Sequence, residues 1–307
     1  MQEVTEGKVT VKVPLENTVS KDLPVFFNPK MELNRSLSVA VLATWDRDDL
    51  QVALPLAGSG VRGLRMLQEL PNTKIKLLAM NDHSETAFAA MQENSERNTS
   101  DNRLSLRKEE ATTFLENSNG FDYIDIDPFG SPNPLLDVAC RRLARGGILA
   151  VTATDTGALA GSFVNAGRMK YWAENKKSPQ KHELGLRILA RKVMLMGMQH
   201  AKALQPILSY HYEHYYRIFF RCTKGKQRAA ALYAQTTATH FVCEKCGNQG
   251  PYTPACPQCQ HPQQQLGPVY GGKLQDEQLC TTLCEKFPEF KKLLTPLLLD
   301  DHIEQVG

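Results

Sequence analysis

Between Gln51 and Val151, short runs of Val, Ile and Leu alternate with helical stretches, and this rhythm constrains the fold more than any other feature of the chain. Strands are expected at Gln51–Ala57, Lys74–Asn81, Phe121–Asp127 and Gly147–Thr152. Helices are expected between them at Gly63–Leu70, Ser84–Asn98 and Asp137–Ala144, with Ser84 as a cap. Strands separated by helices at this spacing predict a parallel sheet covered by helices, an α/β fold. Lys8–Val13 alternates with period two and reads as an extra antiparallel strand.

Beyond Thr154 the pattern changes. Glu183–Leu204 reads as a long amphipathic helix whose Met residues fill core. Pro206–Tyr212, Tyr215–Cys222 and Ala229–Ala234 read as antiparallel β-rich runs, and the last forty residues as helical with breaks at Pro288 and Pro296. With 307 residues, 42% hydrophobic and 22% charged, the chain can bury two sizeable cores, which excludes wholesale disorder. No apolar window is long enough for a membrane span, and Met1 to Val13 has no leader pattern, so a cytoplasmic location is expected.

The net charge is only +3, but it is unevenly placed. From Asn165 to Arg228 fourteen Lys and Arg stand against three Glu, a local charge of +11. Such a block fits a polyanionic partner, and equally a solvated basic surface. Within it, Tyr210, His211, Tyr212, His214, Tyr215 and Tyr216 interleave with Arg217 and Arg221. Strand alternation makes half of these rings core, and packing is expected for most, with stacking on unpaired bases as the other use.

Eight cysteines divide into two groups. Cys140, Cys222, Cys280 and Cys284 are scattered, whereas Cys243, Cys246, Cys256 and Cys259 form two C-x-x-C pairs. Two such knuckles supply four thiolates to one ion, the closed tetrahedral site of structural zinc. The flanking His240 and His261 read as surface residues.

Gly58-Ser59-Gly60-Val61-Arg62-Gly63 satisfies G-x-G-x-x-G between a strand and a helix, and Asp82 ends the next strand. Glycines let the backbone approach a ligand closely, and a carboxylate at that position accepts ribose hydroxyls, so an adenosine-containing cofactor is expected. Arg35, Arg62 and Arg65 suit the amino-acid carboxylate of S-adenosylmethionine better than a hydride-transfer site. Asp127-Pro128-Phe129 then closes a strand at its carboxyl end, where such sheets bind ligands. A carboxylate that accepts an N–H from an exocyclic amine draws electron density onto that nitrogen. The Pro128 carbonyl can accept the other N–H, and Phe129 offers a face for the base. Asp125 lies on the same strand face and competes for the role, and Asp-Pro is also a common turn opener.

These strings, with Phe26-Phe27-Asn28-Pro29-Lys30-Met31, Asn34-Arg35, Asp127–Pro132 and Val151–Thr156, resemble the tRNA (guanine-26-N2)-dimethyltransferases over most of the chain. The resemblance implies a Rossmann-like class I S-adenosylmethionine methyltransferase fold over 1–210. A smaller α+β C-terminal domain would follow over 211–307, binding tRNA and containing a zinc ribbon at about 238–268. It implies Asp127 as the catalytic residue that binds and orients the guanine amine, with Phe26 and Phe129 sandwiching the guanine. Arg35 would hold the methionine carboxylate with Arg62 or Arg65 beside it, Gly58 and Gly60 would line the cofactor, Asp82 would take the ribose, and Glu110 and Ala111 would meet the adenine. The chain departs from the family at Glu110, where Asp is frequent, at Phe27, where Tyr is frequent, and in a shorter C-terminal tail. The implied partner is tRNA, with no membrane and no obligate protein partner evident. The rivals at this stage are an amino-directed DNA methyltransferase, a non-catalytic RNA-binding zinc-ribbon scaffold, and a nicotinamide-dependent dehydrogenase.

Overall fold

The computed structural model describes residues 2–14, 25, 27–250 and 253–299. The chain divides into two compact units, 1–151 and 152–307. The boundary expected near residue 210 falls inside a strand of the second unit.

The first unit opens with a hairpin, β1 (Gln2–Glu6) and β2 (Val9–Val13), which forms its own two-stranded sheet. Then follow α1 (Glu32–Thr44), β3 (Leu50–Leu54), α2 (Val61–Glu69), β4 (Ile75–Asn81), α3 (Glu85–Asn98), β5 (Leu104–Arg107), α4 (Ala111–Glu116), β6 (Phe121–Ile126), α5 (Asn133–Arg142) and β7 (Leu143–Ala153). The strands pair in parallel in the order β5-β4-β3-β6-β7. From β3 the chain moves outward through β4 and β5, then returns to place β6 on the other side of β3. That reversal opens a crevice beyond the carboxyl ends of β3 and β6, where open α/β sheets bind ligands. The strand residues Val52, Ala53, Tyr123, Ile124, Ile126, Ile148, Leu149 and Ala150 are fully buried, as a sheet covered on both faces requires.

Local chemistry explains the element ends. Ser84 caps α3 by accepting from the Ala87 N–H. The helix expected from Asp137 starts four residues earlier, at Asn133, with Pro134 in its first turn, where the missing N–H costs nothing. Two asparagines one turn apart on α3 anchor β2. Asn94 and Asn98 each accept from and donate to the backbone, at Lys12 and Thr10 respectively. The antiparallel strand read near Lys8–Val13 is therefore real, but its strand partner is β1.

Glu6 at the end of β1 locks this corner. Arg35 donates to it through Nε (2.7 Å) and Nη2, and Arg65 through Nη1 (2.8 Å), all of it buried. Burial alone would raise the Glu6 pKa, but the hydrogen bonds and charges of Arg35 and Arg65 outweigh it and hold the carboxyl below its ordinary 4.5. Its stabilising contribution is thus complete above pH 4.5 and is lost as pH falls below that value toward the folded-state pKa. Glu6→Gln should cost about 3 kcal/mol at neutral pH, because two guanidinium groups lose their buried counter-charge. Denaturant unfolding at pH 7 and pH 3 checks this: the gap between the two proteins should narrow at the lower pH.

The second unit contains α6 (Thr156–Leu159), α7 (Val164–Tyr171), α8 (Lys181–Gln199), the antiparallel pair β8 (Lys202–Tyr212) and β9 (Tyr215–Lys224), and α9 (Lys226–Tyr233). Then come β10 (Ala238–Cys243), β11 (Gln249–Gly250) and β12 (Gln263–Val269) as a three-stranded sheet, followed by α10 (Glu277–Lys286) and α11 (Lys291–Leu299). Ala229–Ala234, read as β, lies largely in α9, whose run of alanines favours a helix. Pro288 separates α10 from α11, whereas Pro296 lies inside α11 and does not break it. Half of the six rings of the aromatic cluster are core: Tyr210, Tyr215 and Tyr216 are buried with the following Phe219 and Phe220, and so is Arg217, which donates to Thr152. Arg187, Lys192 and Lys202 are also buried, so the basic block is only partly a surface.

Candidate functional site

A cavity of about 350 Å³ opens at the crevice between β3 and β6. It is lined by Phe27, Met31 and Arg35, by the turn from Leu54 to Arg62, by Asp82 to Ser84 and Ala87, and by Asp125 and Asp127 to Phe129. The glycine turn shapes one wall. Gly58 and Gly60 both have positive φ, at 53° and 80°. A Cβ on Gly63 would come within 2.3 Å of Met80 Sδ, so the third glycine is what allows α2 to pack directly on β4. Asp82 bridges two turns: Oδ2 accepts from the Gly58 N–H and Oδ1 from the Ser84 N–H, both at 3.0 Å. Each carboxylate oxygen retains a lone pair for a further donor.

The opposite wall is a charged network. Strand alternation brings Tyr123, Asp125 and Asp127 to one face of the β6 end. Arg62, from the first turn of α2, binds both acids: Nη2 pairs with Asp127 Oδ2, and Nη1 lies 3.4 Å from Asp125 Oδ2. The same Nη1 donates to Asn34 Oδ1 (2.8 Å) and Ser38 Oγ (2.7 Å) of α1. Asp125 accepts further from the Tyr123 hydroxyl (2.7 Å) and from Ser38 (3.3 Å), and is only 2% exposed. Asp125 is therefore a buried anchor. Asp127 stands nearer solvent, fixed through one oxygen, with Oδ1 remaining to accept another proton. Beside it Phe129 is 58% exposed, at the mouth of a buried polar site.

Comparison with known proteins decides what such a site belongs to. The family model for the N2,N2-dimethylguanosine tRNA methyltransferases matches residues 7–298. The chain belongs to that family. The tRNA (guanine(26)-N(2)/guanine(27)-N(2))-dimethyltransferase of Aquifex aeolicus is 34% identical over 100% of this chain and 83% of its own length. The tRNA (guanine(26)-N(2))-dimethyltransferase of Methanobrevibacter smithii is 35% identical over 95% of this chain and 77% of its own. Among solved structures, Trm1 from Pyrococcus horikoshii in complex with S-adenosyl-L-methionine superposes with a TM-score of 0.81 at 29% identity, covering 97% of this chain and 82% of that one. The family fold is thus a Rossmann-like class I methyltransferase sheet, joined here to an α+β unit with a cysteine ribbon.

Of the residues that the resemblance implies, Arg35, Gly58, Arg62, Asp82, Asp127 and Phe129 come together around one cavity. Gly60 caps α2 immediately behind the turn. Arg65 does not reach the cavity. Three residues further along α2 it lies about 4.5 Å deeper on the helix axis, where it binds Glu6, Glu69 and Ser36. Glu110 and Ala111 are not in the lining. Asn81 binds the Glu109 backbone in both directions, so they sit next to the strand end that carries Asp82. Phe26 lies outside the described residues. Its neighbour Phe27 lines the cavity, with the Arg35 guanidinium 5.1 Å from its ring centroid. Asn34, Ser38 and His83 also belong to the site or its support; the sequence offered no spacing that would have marked them.

The donor inventory fits an amino-acid carboxylate. Among the described residues, Arg35 uses four of its five N–H groups on Glu6 and the Asn28 carbonyl, leaving one on Nη1. Arg62 leaves Nε and one Nη2 N–H. Apolar Leu54, Leu56, Val61 and Ala87 complete a pocket suited to a partly apolar nucleoside.

The four paired cysteines also converge. Their sulfurs lie within 4.8 Å of one another, with Cys243 Sγ 3.4 Å from Cys259 Sγ and Cys246 Sγ 3.5 Å from Cys256 Sγ. A tetrahedron with Zn–S bonds of 2.3 Å has edges of about 3.8 Å, so the set fits zinc. Both knuckles close alike. The Gly247 N–H returns to the Cys243 carbonyl and the Gln260 N–H to Cys256, with positive φ at both residues. His240 is buried on β10 rather than at the surface, and His261 is exposed. Four protein ligands leave no open position, so the ion's work is to hold β10–β12. One zinc per chain is expected by native mass spectrometry, and its removal should lower the melting temperature. An unchanged melting curve after verified metal loss contradicts the role.

Proposed function

We propose that this chain transfers methyl groups from S-adenosylmethionine to the exocyclic N2 of a guanine in tRNA, guanine 26 by its relatives, giving N2-methyl- and N2,N2-dimethylguanosine. The observation that carries the reading is Asp127, a carboxylate fixed by Arg62 at the sheet's switch point beside an exposed aromatic ring. Arg35 and Arg62 receive the methionine carboxylate, Asp82 the ribose, and Glu110 with Ala111 the adenine edge. The guanine leaves the tRNA stack and lies on Phe129, with Phe26 covering its other face.

Asp127 Oδ1 accepts one N2–H and the Pro128 carbonyl the other, which aims the nitrogen lone pair and offsets its delocalisation into the ring. When bound, S-adenosylmethionine supplies a methyl group on sulfonium sulfur; the N–C bond forms as the S–C bond breaks, and one N2 proton leaves toward Asp127. A monomethylated guanine still has one N–H for Asp127, so a second transfer uses the same grip. The dimethylated product has none and is released. Catalysis here is mainly positioning and charge placement.

By resemblance the methyltransferase domain runs over 1–210 and a tRNA-binding domain over 211–307, while the compact units divide at 151/152, so residues after 151 on either side of 210 can meet the tRNA. A tRNA substrate and an all-thiolate metal site suit a reducing compartment, the cytoplasm. No described helix is long and apolar enough to cross a membrane. Labelled methyl transfer to unmodified tRNA, with double-stranded DNA as the control, tests the reading. Label in tRNA is expected, and label in DNA alone overturns it.

A further inference from the structure

Six large hydrophobic side chains are exposed among the described residues, and three of them fall in one ten-residue stretch: Phe163 (67%), Met169 (76%) and Trp172 (48%). They precede, occupy and follow α7. The two rings are braced from one side by the fold. The edge of Phe163 rests on the bare α-carbon of Gly157, where an added Cβ would approach it to 2.5 Å. Trp172 adopts a left-handed conformation (φ 57°) that ends α7, and its carbonyl accepts from Arg191 Nη1. The ammonium of buried Lys192 lies 3.0 Å from the Trp172 ring centroid.

The surrounding charge is cationic. Along the chain from 155 to 181, Arg168, Lys170, Lys176, Lys177 and Lys181 stand against Asp155 and Glu174, and Lys176 pairs with Glu244. Those acids are neutralised by Lys170 and Arg168. Lys177 and Lys181 have no ion-pair partner among the described residues. Protein-binding patches are depleted in lysine, whereas unpaired nucleotides are held by open aromatic faces flanked by cations.

We infer that Phe163 and Trp172 form a stacking platform for unpaired bases of the tRNA, with the lysines of the same segment gripping the adjoining phosphates. The inference rests on the reading of this chain as a tRNA methyltransferase. It adds a contact surface that the base-orienting pocket does not require.

Trp172 reports on itself, because Trp45, the other tryptophan, is only 7% exposed. Titration with unmodified tRNA should quench tryptophan emission, and Trp172→Phe should abolish the signal while keeping affinity within about three-fold. Trp172→Ser and Phe163→Ser should each weaken tRNA binding roughly ten-fold, with S-adenosylmethionine affinity unchanged and the melting temperature lowered by no more than a few degrees. Wild-type methylation together with undiminished tRNA affinity in both serine variants overturns the platform alone. Sedimentation showing a dimer that those variants dissociate also overturns it, in favour of a second copy of the chain. A wild-type protein that neither binds nor methylates tRNA overturns the enzymatic reading and the platform with it.

Discussion

Asp127→Asn should slow methyl transfer to tRNA by about a thousand-fold, with S-adenosylmethionine binding changed by less than about three-fold. The asparagine keeps the size and one acceptor oxygen but removes the charge that draws density onto the amine. Its NH2 group also meets Arg62 donor to donor if it takes the place of Oδ2. Asp127→Ala should be at least as slow, but it strips Arg62 of an ion-pair partner as well, so the Asn variant isolates the chemical contribution. Single-turnover rates measured beside equilibrium dialysis of the cofactor separate chemistry from binding. Near-wild-type turnover by the Asn variant would mean that the amine is oriented by some other group.

Arg62→Met carries the second large effect, and it is a double one. The guanidinium stands between two carboxylates, and Asp125 is almost fully enclosed. Removing the cation leaves those acids facing each other without compensation, a loss of about 3–5 kcal/mol for a broken buried pair. It also frees Asp127 to rotate, so transfer should fall by roughly a hundred-fold even where the protein is folded. Arg62→Lys restores charge but cannot span Asn34, Ser38 and both acids as a fork, and should recover stability more than rate. Adding Asp125→Asn to Arg62→Met should likewise restore part of the stability and little of the activity. Denaturant unfolding beside single-turnover kinetics checks both. Full activity in Arg62→Met would show that Asp127 needs no anchor.

The parts of this site readable from sequence are those that local backbone rules enforce. β3, β4, β6 and β7 carry apolar-rich runs broken only by single polar residues, so they were legible. β5 was not, being three half-buried residues and an exposed Arg107, LSLR, without such a run. Gly58, Gly60, Asp82 and Asp127 sit at strand ends or tight turns, where position implies use. The network behind them has no local signature. Glu6 meets Arg35 and Arg65 across 29 and 59 positions, and Arg62 meets Asn34 across 28. No helix was assigned to 32–44, so nothing placed Ser38, or Asn34 of the Asn34-Arg35 string, beside Arg62. Arg62 and Arg65 looked equivalent as neighbouring arginines after the glycine turn; one helical step decides that one faces the cavity and the other the hairpin. The basic block shows the same limit, since charge counting cannot tell the exposed Lys177 from the enclosed Lys192 and Arg217.

The central claim is that this pocket grips the two-amino group of guanine through Asp127. Mass analysis of nucleosides from tRNA treated with wild-type protein and Asp127→Asn measures it most directly. N2-methyl- and N2,N2-dimethylguanosine should accumulate with the wild type and be nearly absent with the variant. Methyl groups found on a guanine ring nitrogen or on another base, or equal N2 methylation by both proteins, would contradict it.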